Sequence, residues 1–517
     1  MNDTRWTSEG VALLVLALLL VAARLYLDLS TSYTSDDAYI TYRYAANLAE
    51  GKGWVYNAGE KVQGTSSPLY TTILGAVAGI GGADAVPFAS KTISLIADVA
   101  TLLIVWQLLS SLSLLARFIS GALLALYPKA VLIGISGMEA SLVVALMVLG
   151  LYFLARREPT MACLALGLLL LTRFDAIIWI ATVIVFARAW REDVPARAIS
   201  LLLLIFGSWV VFSHLYFGTW VPHSVIAKRV SWSHMFPVFD PMRILLGYLP
   251  FQSLYGWSAA VRGVAAVLLL VPPVVESVRL FRRRPWLAVF PAFFLVYNLA
   301  FSFGRVLMAD WYYLPGYVAY FATLGSLVDY FTARWRFAAR VGSSHVMACS
   351  FIVIILVILL HSGARRWADN PAGILLRQNY RLGVWLEAHA VHDSRILLEP
   401  IGYVGWESGL YVDDYIGLVS SRIVAYRQRF AGADSWFMQF VKDTQPDYIV
   451  FRNWEVPSNR LFHGYGDGLF QSEFDREWFE LVYKPVEWNP RAAEEDSVYL
   501  VLYQRIGRPS LAGGNVD

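Results

Sequence analysis

Two carboxylates stand side by side at Asp36 and Asp37. They head the stretch YTSDDAYITYRYAANLAEGKGWVYNAGEKVQGTSSPLY over residues 33–70, which is polar and aromatic where its surroundings are apolar. Paired acids just past a hydrophobic segment can take the proton of a hydroxyl or hold a metal. Asp is also a favoured N-cap, so the pair can equally cap a helix starting near Ala38, and one acid can cap while the other works. Other charged groups lie at the ends of apolar runs: Glu139 in SGMEAS, Arg173 and Asp175 in TRFDA, and His223, Lys228 and Arg229 in PHSVIAKR. An arginine in such a setting must be paired or wet. Arg173 therefore either bridges Asp175, snorkels, or holds a phosphate with its planar guanidinium.

The elements that must position these groups are hydrophobic. The 517 residues are 57% hydrophobic and 16% charged, which fits a polytopic membrane protein and not a soluble one. A net charge of +3 gives no reason to expect nucleic acid. The two cysteines, Cys163 and Cys349, both fall in apolar segments, so neither a disulfide framework nor a zinc cysteine cluster is available. Apolar runs occur at 11–28, 67–82, 88–111, 114–136, 138–155, 160–173, 175–190, 196–216, 255–279, 286–304, 310–333 and 345–362. The first is read as an uncleaved helix, although a signal peptide looks similar.

Basic clusters at Arg156–Arg157, at Arg188, Arg191 and Arg197, at Arg279 with Arg282–Arg284, and at Arg334, Arg336 and Arg340 mark cytoplasmic loops. Counting back from them leaves 67–82 as a juxtamembrane or re-entrant helix, and about 11 crossings remain. The Asp36–Asp37 loop, Glu139, the Arg173–Asp175 turn, the 217–254 loop and everything after 363 then share the external side. Asp98 and Lys129 lie at similar depth and are expected to pair, because an unpaired buried charge is costly. Beyond Gly363 the runs RILLEP, DYIVFR and VYLVLY alternate with helical patterns at 375–390 and 434–444, which reads as a small α/β domain. The tail SLAGGNVD reads as disordered.

The stretch DDAYITYRYAANLAEGKGWVYNAGEKVQGTSSPLY resembles the first external loop of the GT-C membrane glycosyltransferases, in particular the branch of the mycobacterial terminal arabinofuranosyltransferase. The resemblance implies a polytopic α-helical membrane protein of GT-C type: a transmembrane catalytic domain over 1–363, with its first external loop at 29–66 and juxtamembrane helix at 67–82, and an extracytoplasmic α/β domain over 364–517. It implies an inverting transfer of a sugar, such as the pentose arabinofuranose, from a polyprenyl-phosphate donor to a cell-envelope glycan. The expected chain is a monomer in the inner membrane, with its site outside and no metal or other cofactor assigned.

In that superfamily an acid of this loop is the base. The first acid, Asp36, matches the position, and helix phase is expected to turn Asp37 away to cap or orient. TRFDA is similar to an Arg-Pro-Asp turn of the relatives, with Phe174 for the proline, and PHSVIAK to their PNxxxAK. On that likeness Arg173 and Lys228 hold the donor phosphate, and His223 and Arg229 lie beside them. Tyr39, Glu139, Asp175, Trp311, Tyr312 and Tyr403 are expected to line the substrates. The bland readings stay open: an ion pair for Arg173, an acid near a helix start for Glu139, an interfacial aromatic belt for Trp311 and Tyr312, and a purely structural C-terminal domain. The function reading from another class is a transporter or flippase of a lipid-linked sugar.

Overall fold

The computed structural model describes residues 7–186, 194–232, 237–249, 258–281, 283–304, 308–334, 342–368, 370–430, 436–453, 455, 473–489 and 498–506. Arg188, Arg191, Arg282, Arg336, Arg340, residues 434 and 435 and the tail lie outside them.

The apolar runs become helices with bounds close to those expected. α1 (Ser8–Thr31) crosses the interior edge of the bundle, and its Arg24 is buried. α2 (Asp36–Ala49) carries the acid pair in its first turn, α3 (Pro68–Gly81) follows the first loop, and α4 (Ala85–Leu108) returns. The 114–136 run breaks at Tyr127–Pro128 into α5 (Leu114–Leu126) and α6 (Pro128–Gly134), bent by 55°. Proline lacks the N–H that would continue the first helix, but it suits the first turn of the second.

Next come α7 (Ala140–Ala155), α8 (Pro159–Thr172), α9 (Ile177–Phe186), α10 (Ala196–Phe217) and α11 (His223–Trp232). They are followed by α12 (Pro241–Leu246), α13 (Ala259–Leu280), α14 (Pro285–Phe303), α15 (Leu314–Arg334) and α16 (Gly342–Ala368). Among the described residues six helices are long and apolar enough to cross a membrane, or seven with the bent pair. Their length and hydropathy suit a multi-pass membrane protein. α7, α8 and α9 are apolar but shorter.

The main core joins α1, α5, α7, α8, α14 and α15 through residues such as Leu16, Val148, Leu166, Phe290 and Tyr317. Charges inside it are paired, but not as the sequence suggested. Asp98 binds Arg24 of α1 at 2.9 Å, not Lys129. Lys129 instead meets the Gly247 carbonyl at 2.8 Å and Asp310 at 3.6 Å. The bend at Pro128 gives α6, which carries Lys129, an axis of its own, so similar depth along the sequence did not mean proximity.

The C-terminal region begins with α17 (Pro371–His389), then β1 (Arg395–Leu398), α18 (Gly402–Ser408), β2 (Tyr411–Asp414), α19 (Ser421–Arg429), α20 (Trp436–Thr444), β3 (Tyr448–Arg452), α21 (Glu473–Val482), β4 (Tyr483–Val486) and β5 (Leu500–Arg505). The strands form one sheet in the order β2-β1-β3-β5-β4. β2, β1 and β3 are parallel neighbours, with Ile396 opposite both Val412 and Tyr448. β5 runs antiparallel to β3 and β4.

This sheet is bolted to the first loop. Arg43 of α2 donates to the carbonyls of Tyr56, Gly405 and Leu410. Asn57 and Val412 exchange two hydrogen bonds, and the Tyr56 hydroxyl donates to Ile401.

Candidate active site

α2 starts at Asp36, with Ser35 as the N-cap residue. Neither acid is therefore the N-cap; both sit in the first turn, where negative charge suits the helix dipole. The helix start is pinned from behind, because the Ser35 N–H donates to the Ser136 carbonyl at 2.9 Å. Adjacent side chains on a helix diverge by roughly 100°, so the two acids cannot share surroundings.

Asp36 faces the start of α18 in the C-terminal region. Its Oδ2 accepts from the Gly402 N–H at 2.6 Å and its Oδ1 from the Tyr403 N–H at 3.0 Å. A Cβ at Gly402 would collide with the Asp36 backbone, so only glycine permits this approach. The Asp36 pKa stands raised to about 7, because burial, aided by the Asp37 charge, outweighs the Tyr403 and Gly402 N–H groups that lower it. Both of its oxygens are engaged by the C-terminal domain. Helix phase does part the two acids: the C-terminal domain covers the Asp36 face, and Asp37 lies on the face toward Lys228.

Asp37 is half-buried. Burial raises its pKa, the Lys228 ammonium opposes this, and the carboxylates of Glu399 and Glu139 add to it. Lys228 lies on α11 with its charge toward Asp37 and bonds to the Tyr312 side chain. Burial works against its ammonium, but Tyr312 and Asp37 outweigh that and its pKa is raised.

Arg173 closes the cluster. It donates from Nε to Asp175 at 2.8 Å and from Nη1 to Glu139 at 3.1 Å. Its guanidinium lies 3.8 Å from the centre of the Tyr312 ring. The ion pair with Asp175 that the sequence left open is present, and Glu139 is its second partner. Tyr297, which the sequence reading missed, donates to Asp175 at 3.3 Å and to the Tyr312 carbonyl at 2.9 Å. Its signal was a hydroxyl inside the apolar run FFLVYNLAF.

Six of the candidate residues thus meet: Asp37, Glu139, Arg173, Asp175, Lys228 and Tyr312. Trp311 packs beside Tyr39 and Tyr403, whose rings lie 4.0 Å apart, at the edge of that cluster. His223 does not join it, since its ring meets the Gly417 backbone of the C-terminal region. Arg229 is exposed. Five residues and one residue along α11 from Lys228, these two side chains must point elsewhere. Among the described residues no three His, Cys, Asp or Glu side chains converge on a metal-holding geometry. Beside the cluster is a pocket of about 290 Å³ lined by Phe174, Phe206, Trp209, Trp220 and Val225, with Gln63 and Ser213 among its walls.

Comparisons with solved structures bear on this arrangement. ArnT from Cupriavidus metallidurans, bound to undecaprenyl phosphate, matches with a TM-score of 0.58 at 11% identity, over 98% of this chain and 100% of that one. The oligosaccharyltransferase AglB from Archaeoglobus fulgidus, in complex with an inhibitory peptide and a dolichol-phosphate, matches with a TM-score of 0.54 at 13% identity, over 86% of this chain and 69% of that one. At these identities the likeness is one of fold. The mycobacterial arabinofuranosyltransferase AftD aligns with a TM-score of only 0.40 at 15% identity, over 97% of this chain and 40% of that one, which carries no weight for that branch. Residues 372–501 match a family model described as a domain of unknown function, DUF8728. No curated protein matches the chain by sequence.

Proposed function

We propose that the chain is an inverting glycosyltransferase that moves a sugar from a polyprenyl-phosphate donor to a hydroxyl of a glycan acceptor at the external membrane face. The observation that carries this reading is the Asp37 carboxylate facing the Lys228 ammonium, which shares the Tyr312 side chain with the Arg173 guanidinium. The carboxylate serves as base, and the two cations hold the donor phosphate. ArnT with undecaprenyl phosphate and AglB with dolichol-phosphate lend it support as relatives in fold. The apolar pocket beside Phe174 suits the first units of the lipid tail.

In the reaction the acceptor oxygen attacks the anomeric carbon as its proton passes to Asp37. The bond from that carbon to the phosphate oxygen breaks, and the electron pair leaves on the phosphate. The lipid phosphodiester becomes a monoester with one more negative charge, and Lys228 and Arg173 face that charge as it develops. Glu139, Asp175 and Tyr312 keep the guanidinium aimed. Asp36 is given the anchoring role in this reading, because its carboxylate is held by the Gly402 and Tyr403 backbone, whereas Asp37 lies toward the Lys228 ammonium. One direct displacement inverts the anomeric centre. The first-loop likeness points to a pentose donor such as arabinofuranose and to a cell-envelope glycan as acceptor.

The test is purified protein in proteoliposomes with a labelled polyprenyl-phosphate pentose and envelope glycan. Label on the glycan, with inverted linkage, is expected. Movement of the intact donor between leaflets without transfer would replace the reading with a flippase.

A further inference from the structure

On the far side of α2 from Asp37 lies a second feature, a cleft of about 710 Å³ between that helix, the first loop and the C-terminal domain. Asn47 of α2 and Arg395, Trp406, Glu407 and Tyr411 of the C-terminal domain line it. Its walls are rigid, being held by the three Arg43 bonds and the Asn57–Val412 exchange. Trp406 is half-buried, so part of its indole stays accessible while Tyr39 and Tyr42 hold it edge-on, each with ring centres 6.1 Å away. Acidic and basic side chains line the cleft in near balance.

This chemistry selects a ligand class. A lipid would need apolar walls, and a phosphate or nucleotide would need an excess of cations. An aromatic platform ringed by donors and acceptors, without net charge, suits a neutral polyhydroxylated chain. We propose that the cleft binds a neutral oligosaccharide stretch, the part of the acceptor glycan distant from the reacting hydroxyl. The assignment to the acceptor rests on the transferase reading. The residues of α2 and its C-cap that line the cleft, from Arg43 to Glu50, stand about 9–20 Å along the helix axis from Asp37 at ~1.5 Å per residue, so a glycan gripped here runs along and around α2 to present its end on the Asp37 side.

The experiment is binding without donor. Full-length protein in nanodiscs is titrated with neutral arabinan and mannan oligosaccharides, from disaccharide to hexasaccharide, with saturation-transfer NMR and tryptophan fluorescence as readouts. The proposal expects affinity that grows with chain length, falls about tenfold in Trp406→Ala, is largely restored in Trp406→Phe, and is weakened in Glu407→Gln, which leaves the packing intact. Asp37→Asn should bind as wild type does. Absence of saccharide binding, preference for peptides of similar length, or binding that ignores both Trp406→Ala and Glu407→Gln would overturn it. Saccharide binding by a protein that transfers no sugar would keep the cleft and discard the transferase reading.

Discussion

Because neighbouring helical residues diverge by roughly 100°, the Asp36–Asp37 pair is divided between two tasks. The sequence displayed both acids but not which face the C-terminal domain covers. That information resides in Gly402, 366 residues away. Asp36→Asn replaces an acceptor with an amide donor facing two N–H groups. It should cost about 1–3 kcal/mol in thermal stability of the C-terminal domain and should leave donor affinity unchanged. Unaltered stability would dismiss Asp36 as an anchor.

The raised Asp37 pKa sets a pH dependence. A base must be ionised, so kcat falls as pH drops through that value, and the acid limb lies above the ordinary carboxylate range near ~4. A limb in the ordinary range would argue against Asp37. Arg173→Ala should raise the donor KM by tens to about a hundredfold, the scale of about 2–3 kcal/mol for a charge-assisted contact, and Lys228→Ala should do so more mildly. Normal donor kinetics in both would remove them from the site.

At the scale of elements, α3 has 14 residues and spans about 21 Å at ~1.5 Å per residue, short of the roughly 30 Å of hydrocarbon. It packs along α2, with Gly75 against Leu48. A cysteine placed at Ala83, with Cys163 and Cys349 replaced, should therefore react with an impermeant thiol reagent in intact cells lacking an outer barrier. Labelling only after permeabilisation would require a different crossing count.

Most elements were legible because burial in a bilayer demands continuous apolar runs, and all twelve runs contain helices. β1 and β3 were legible as buried apolar strands, and β5 as a half-buried one. β2 hid behind its YVDD sequence and β4 behind its proline. The partners of Asp98 and Lys129 were not legible, since Asp98 pairs with Arg24 from a helix 74 residues earlier and the Pro128 bend reorients α6.

At the scale of the molecule, the transmembrane bundle supplies the cations, the first loop supplies the acid, and the C-terminal domain fixes the loop. Gly402→Ala should undock that domain, because its Cβ would strike the Asp36 backbone. Faster limited proteolysis within 402–430 and lost turnover are expected, whereas wild-type protection would mean the contact is dispensable. In the proposed reaction Asp37 accepts the proton of the acceptor hydroxyl at a site where Lys228 and Arg173 hold a lipid phosphate. Single-turnover sugar transfer by reconstituted Asp37→Asn, with donor binding measured on the same preparation, tests it most directly. Bound donor with transfer slowed by about a hundredfold or more is expected, and transfer at the wild-type rate would rule Asp37 out as the base.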